Sequence, residues 1–508
     1  MRKGWKIFWF VFTVLLVVSL CVFFYWSRPW WHGLIMALFC RYPHFLFSII
    51  VALAIGILFG FIPRRYEGGY NGELATGMFF VSWIVLWIVF SCYQGWYSQR
   101  DMAYSIKSKI EQIEELPDIT SVRILPRAVA RRYAKDALQY PRYQLGGADI
   151  TFVDGKQAWA FPLRPDGIVN MVNLKGKGMI YVRMDTQEKN TTVFEKRMNV
   201  GPGMGIKDNV FWRLRKEKFW RAYEDLYSVL YEDDLYFAVP LRKFKWRFQF
   251  PTVYTVPEFD GVALIHSSGK IDFLSPEEAA NHPVLQGQKV FSEYMARYQI
   301  NSLQYAKGIN NKLWHHKDQL EIADVARGQN RQPFLVETSN GLDYLIAAEP
   351  YGSAHGIFKI FLIDARTGKI RYFKQPATDT LIGPVKACDY VRKASPRISW
   401  DTMSPVEPIP IIRESVLYWE IRIIPKDAAG VSYTAFVDSR SGYVLEFEED
   451  ADIKAFIQGY EVVSIKADAE KKKVGKKEEK THITVVIISP DGTRKEIQLE
   501  KGSKLIIQ

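Results

Sequence analysis

Cysteine is scarce in this chain and badly placed for chemistry. Four occur in 508 residues, and Cys21, Cys40 and Cys92 lie in or beside long apolar runs, leaving Cys388 alone in the polar remainder. That excludes an internal disulfide in the polar part and any CxxC-type zinc site. The eight histidines are scattered, with no HExxH spacing. No glycine-rich loop carries the Lys-Ser/Thr pair of a P-loop. Gly201-Pro202-Gly203-Met204-Gly205 lacks it and loses a donor to proline, so it reads as a turn before a helix capped by Asp208. No cofactor and no metal is expected.

Long apolar runs, by contrast, crowd the first hundred residues. Three of them, at about 5–26, 43–63 and 74–97, reach the roughly 20 residues needed to cross a bilayer. The first ends in Phe23-Phe24-Tyr25-Trp26 and the third contains Trp83, Trp87 and Trp96, aromatic residues of the kind that settle at membrane interfaces. The first run is too long for a cleaved signal. Flanking charge sets the expected orientation. Arg2, Lys3 and Lys6 outnumber Arg28 across the first run, and the Arg64–Arg65 pair outnumbers Arg41 and Arg100 across the other two. The N-terminus is therefore expected in the cytoplasm and everything after Tyr97 outside it. The aromatic segment 27–42 reads as an interfacial stretch.

The remaining chain reads as α+β. Residues 99–117 predict a juxtamembrane helix, with Ile106, Ile110, Ile113 and Leu116 at helical steps. Another helix follows Pro126. The predicted organisation is an anchor over 1–98, the juxtamembrane helix over 99–117, and a first α+β unit over 118–250 that carries an aromatic helix at 208–230. A second unit covers 251–380, a third 381–450, and a charged linker with a C-terminal hairpin covers 451–508. Segment 466–480 holds seven lysines and few apolar residues, a composition that does not pack.

Hairpin signals recur. Asp154-Gly155 separates two apolar runs. Asp364-Ala365-Arg366-Thr367-Gly368 and Asp438-Ser439-Arg440-Ser441-Gly442 do the same, His266-Ser267-Ser268-Gly269 is one residue shorter, and Asp491-Gly492 marks a last hairpin. Where the turn holds an aspartate, its carboxylate can accept from the turn's amides, and in each the glycine supplies positive φ. The strands alternate apolar and polar, which predicts one buried face per sheet. A helix followed by strands ending in Asp-x-x-Ser/Thr-Gly resembles PepSY-type modules, best over 382–447 and more weakly over 126–183 and 333–374. The resemblance implies small α+β units outside the membrane that bind or inhibit partners, with no catalytic residues to carry over; Asp364 and Asp438 are then turn residues.

Other clusters have plain readings beside the functional ones. Adjacent His315 and His316 point in different directions and read as exposed polar residues rather than metal ligands. Glu232-Asp233-Asp234 reads as an acidic turn rather than a calcium site or acid–base pair. Lys243-Phe244-Lys245-Trp246-Arg247-Phe248 forms, as a strand, one basic and one aromatic face. Lys243, Lys245, Trp246 and Arg247 are therefore the candidate partner surface, suited to an acidic polymer or the membrane surface. The net charge of +12 favours such anionic partners; nucleic acid is not expected on the far side of a membrane. The expected function is a non-catalytic, membrane-anchored interaction protein whose partners are the bilayer and an envelope or membrane protein. The alternatives are an accessory subunit of a transport or secretion complex and an envelope hydrolase.

Overall fold

Three long helices carry the apolar runs in the computed structural model, which describes residues 2–61, 72–119, 121–322, 331–352, 356–375, 380–396, 398–460, 462, 482–488 and 494–500. They are α1 (Arg2–Met36), α2 (Pro43–Gly60) and α3 (Gly72–Lys107). Each is long and apolar enough to cross a membrane, and none of the apolar window of α1 is buried inside the protein. Such a surface is satisfied by hydrocarbon, with every backbone group bonded within its helix. Helix α2 meets α3 through a stripe of mostly small buried residues four apart: His44, Ser48, Ala52, Gly56 and Gly60. A Cβ on Gly56 would stand 2.9 Å from the Ala75 carbonyl oxygen, so only glycine lets the two backbones come this close.

Two boundaries differ from expectation. Helix α1 does not end at Trp26 but continues through Pro29 to Met36, followed by one π-helical turn at Ala37–Arg41. No juxtamembrane helix starts at 99: α3 runs unbroken to Lys107, and a short strand, Glu111–Ile113, follows. The Ile106 periodicity was that of α3 itself. The Arg64–Arg65 loop, the charged segment 466–480 and the Asp491-Gly492 turn lie outside the described residues, although the strands His482–Ile488 and Arg494–Glu500 pair as an antiparallel hairpin.

The soluble region is built on four larger sheets. Sheet I holds Asp149–Val153, Lys156–Pro165, Gly176–Arg183 and Thr191–Met198, with Tyr143–Leu145 at its edge. Sheet II holds Tyr227–Tyr231, Asp234–Gln249, Thr252–Ile265 and Ile271–Leu274, with Ala222–Tyr223. Sheet III holds Phe334–Thr338, Gly341–Pro350, Lys359–Asp364 and Ile370–Lys374, with Leu320–Ile322 and Glu111–Ile113 at its edges. Sheet IV holds Met403–Arg413, Val416–Pro425, Tyr433–Asp438 and Val444–Phe447. Each of the four contains a four-stranded antiparallel meander, interrupted in sheet III by the two-residue strand Gly356–Ile357, which pairs with Leu381–Ile382. The helices are α4 (Arg127–Asp136), α5 (Ile168–Asn173), α6 (Val210–Glu217), α7 (Pro276–Asn281), α8 (Glu293–Ser302), α9 (Pro384–Ala394) and α10 (Asp450–Ile457).

Three of the meanders are locked to their preceding helix in the same way. The fourth residue of a ten-residue strand is Trp159, Tyr344 or Trp419. Each donates a side-chain hydrogen bond to the carbonyl two residues before its helix begins: Trp159 to Leu125 at 2.9 Å, Tyr344 to Phe291 at 2.8 Å, Trp419 to Ile382 at 2.7 Å. The amides of those same three residues donate to the first residue past the third strand, Met184, Ala365 and Ser439. The chain entering each helix thus has both its backbone groups satisfied in the interior, as burial requires.

The predicted boundary at 250–251 falls in the turn of the longest hairpin, so units 118–250 and 251–380 each take half of sheet II. The predicted aromatic helix 208–230 is also shorter than expected. Only Val210–Glu217 is helical; Tyr223 and Tyr227 lie on strands. Its N-cap is Asn209, which accepts from the Trp212 amide at 3.1 Å, while Asp208 pairs with Lys175.

Sheet III is buried on both faces, not one. Tyr344, Ile346, Phe361 and Ile363 join the core shared with sheet I, α4 and α8, whereas Phe334, Val336, Leu345, Ala347 and Leu362 join the core shared with sheet IV. A strand with both faces covered needs a continuous apolar run, and Tyr344-Leu345-Ile346-Ala347-Ala348 supplies it.

Candidate functional site: a charged cleft where three sheets meet

The segment Gln288–Glu293, just ahead of α8, ties three sheets together. The Gln288 amide group bonds both backbone groups of Phe152 on sheet I, at 3.0 and 3.2 Å. The Lys289 carbonyl accepts from the Tyr227 hydroxyl of sheet II at 2.5 Å. Val290 and Phe291 donate to Ala365 beside sheet III, and Ser292 caps α8 while also bonding Glu224.

Around this segment lies a cleft in two connected parts. The smaller chamber, about 280 Å³, is lined by Glu224, Tyr227, Arg242, Lys289, Tyr294 and Tyr344. The larger, about 490 Å³, is lined by Arg127, Trp159, Arg164 and Phe211. Asp149, Asp225 and Glu293 line both. The buried Lys289 ammonium stands 2.6 Å from Asp149 and 2.6 Å from Glu293. Burial alone would lower its pKa, but the two carboxylates outweigh that and hold it above its ordinary value. Burial pushes the Glu224 carboxyl up, against the Ser292 hydroxyl and the Arg242 guanidinium, which pairs with it at 2.9 Å and lies 3.6 Å over the Tyr294 ring. Among the described residues, Asp225 has no ion-pair partner, and it is exposed at the mouth.

No protein-family model and no curated protein matches this chain. Solved structures that align with it include a Trypanosoma rangeli sialidase, 10% identical over 65% of this chain and 40% of that one, with a TM-score of 0.16. A putative glycoside hydrolase from Parabacteroides distasonis is 11% identical over 66% of this chain and 79% of that one, with a TM-score of 0.17. The chain spans about two fifths of the sialidase. Likeness at that level carries no argument about fold or activity.

The residues singled out from sequence lie elsewhere. Lys243, Lys245, Trp246 and Arg247 sit on the outer half of the long hairpin Asp234–Gln249/Thr252–Ile265. Lys245 pairs with Glu258 at 2.6 Å and Lys243 with Asp260 at 3.1 Å, while Trp246 and Arg247 are exposed. Glu232 and Asp233 form a tight turn with φ of 47° and 56°, and Asp234 pairs with Lys196. His316 stacks on Tyr351 and bonds Gln319, a role separate from His315. Asp364 accepts from the Arg366 and Thr367 amides, and Asp438 from those of Arg440 and Ser441. Gly155, Gly368 and Gly442 have φ of 70°, 76° and 72°, and Asp154 itself has φ of 50°.

Nothing in the sequence pattern marks the cleft residues as a group. Ser292-Glu293 is legible as a helix start, but Asp149 on sheet I, Asp225 in a loop of sheet II and Lys289 in the segment ahead of α8 are separated by many residues, and no spacing rule joins them.

Proposed function

We propose that this chain is a membrane-anchored, extracytoplasmic binding protein whose cleft between sheets I, II and III receives a polar segment of an envelope or membrane protein. The observation that carries this is the exposed Asp225 carboxylate, common to both chambers and set among charges that are already paired. Lys289 neutralises Asp149 and Glu293, and Arg242 neutralises Glu224. Prepaired groups of this kind hold a shaped surface and leave Asp225 to meet a cationic group, with Arg127 and Arg164 of the same cleft, which have no ion pair among the described residues, to meet an anionic one, while Trp159 and Phe211 offer an apolar wall.

The three helix-plus-meander units with a shared lock support reading them as PepSY-like modules. The flanking charges of α1 support placing the N-terminus in the cytoplasm and the soluble region outside. The test is a photo-crosslinking residue in place of Phe211, which lines the cleft and leaves Asp225 in place, in intact cells. The expected result is a discrete adduct to one envelope or membrane protein, absent when the crosslinker is moved to the exposed Asp389. Equal adducts from both positions, or none from 211, would overturn the reading.

A further inference from the structure

The four cations and aromatics read from sequence as a partner surface lie on a hairpin that runs down alongside the membrane helices. Its outer part leaves large apolar side chains uncovered: Trp246 and Phe248 are exposed, and Phe250 at the turn is 82% exposed. A strand in a folded core would not present large apolar side chains this way, and a contiguous patch of them marks an interaction site.

The hairpin's neighbours say what covers it. Thr255 donates to the Cys40 carbonyl between α1 and α2. Further toward the turn, the Phe248 ring lies 6.3 Å from that of Phe47, which is four residues into α2 and so about 6 Å below its start. The Tyr97 hydroxyl donates to the Phe250 carbonyl at 2.9 Å, and the Tyr254 ring lies 5.5 Å from Tyr97. The aromatic tip is therefore continuous with the lipid-facing surface of α2 and α3. Lys245 and Arg247 alternate with Trp246 and Phe248 along the strand, which puts the cations on the other face, where they line a cavity shared with Asp101 of α3 and Gln299 of α8.

A second apolar projection stands at the same border. The short helix α5 presents Ile168, Val169 and Val172 to solvent, the first 82% exposed. It shares a small cavity with Trp30 of α1 and Trp212 of α6. Trp26 and Trp30 both contact Trp212 edge-on, so α5 stands one to two turns past the end of the apolar run of α1.

We infer that the tip Trp246–Phe250 and helix α5 are immersed in the lipid leaflet that receives the C-terminal ends of α1 and α3, with the bilayer itself as their partner. The soluble region is then held to the membrane at two further points beyond its helices, and its orientation on the surface is set. This holds whatever the cleft binds.

The experiment uses the unmodified full-length chain reconstituted in phosphatidylcholine–phosphatidylglycerol vesicles that contain a phospholipid with a photoactivatable acyl chain. Adducts are mapped by mass spectrometry. Peptides carrying Phe248–Phe250 and Ile168–Val172 are expected to be labelled about tenfold more than the peptide carrying Val385, an exposed apolar residue of α9, which packs on sheet IV. Labelled α1–α3 with tip and α5 no higher than the Val385 peptide would overturn the inference while leaving the anchor intact. No label even on α1–α3 would overturn both.

Discussion

Trp419 Nε1 lies 2.7 Å from the carbonyl oxygen of Ile382, and both groups are buried. The bond fastens the start of α9 to the second strand of sheet IV, as Trp159 and Tyr344 do in their own units. Trp419→Phe removes the donor and leaves a buried carbonyl unpaired, at a cost of about 1–3 kcal/mol. Amide exchange over Val416–Pro425 is expected to speed up by about one to two orders of magnitude. Unchanged protection there would show that the bond is incidental.

Gly155 and Gly442 share nearly the same positive φ, but their surroundings differ. A Cβ at Gly155 meets nothing within 4 Å, whereas at Gly442 it would lie 2.3 Å from the Tyr390 ring of α9. Gly155→Ala therefore costs only the left-handed backbone, about 1–2 kcal/mol. Gly442→Ala adds a steric conflict of a further 1–3 kcal/mol or so. Thermal unfolding of the two variants in detergent separates the contributions, and equal midpoints would refute the packing account.

Burial pushes the Cys388 thiol up to about 12. Its thiolate fraction at pH 8 is then on the order of a thousandfold below that of a free thiol. Alkylation of the native protein is expected to be correspondingly slow and to rise about tenfold per pH unit from 8 to 11, with no plateau near 9. Mass spectrometry of timed alkylation checks this, and fast labelling at pH 8 would place the thiol in solvent.

Arg422 and Glu420 are both fully buried, 3.8 Å apart, beside Arg123 and Glu407. Arg422 holds the carbonyls of Glu407, at 2.7 Å, and Ile124, at 3.3 Å. Arg422→Met strands the Glu420 charge and is expected to destabilise by about 3–5 kcal/mol, much of which Arg422→Met with Glu420→Leu recovers. Burial raises the Glu420 carboxyl above its ordinary 4.5, against Arg422 and Arg123. A raised acid stabilises fully below its unfolded value and loses that contribution as pH rises through its folded one. Glu420→Gln therefore gains on the parent above that range and not below 4.5. Denaturation across pH measures both effects, and a double variant no better than Arg422→Met would sink the pairing argument.

Local rules made part of this legible. Runs of lipid length identify helices from composition alone, because no water-facing fold tolerates them. An aspartate four residues before a glycine specifies a return turn through bonds that close within five residues, as Asp364 and Asp438 show. The expected helices 99–117 and 208–230 differ from the structure for one reason. Apolar periodicity locates a helical face but not where that helix starts or stops, so it cannot tell that Ile106 continues α3 or that Tyr223 and Tyr227 lie on strands beyond α6.

The membrane anchor, the strand–turn pattern and the alternating cations of 243–247 were thus present in the chain's order, since each depends on neighbours a few residues apart. The cleft was not, because Asp149, Asp225 and Lys289 become neighbours only when three sheets close on one segment. Nor was the depth of Phe250, which depends on a hairpin passing Phe47 some two hundred residues earlier. Packing between distant elements brings such groups together, and no short-range periodicity encodes it.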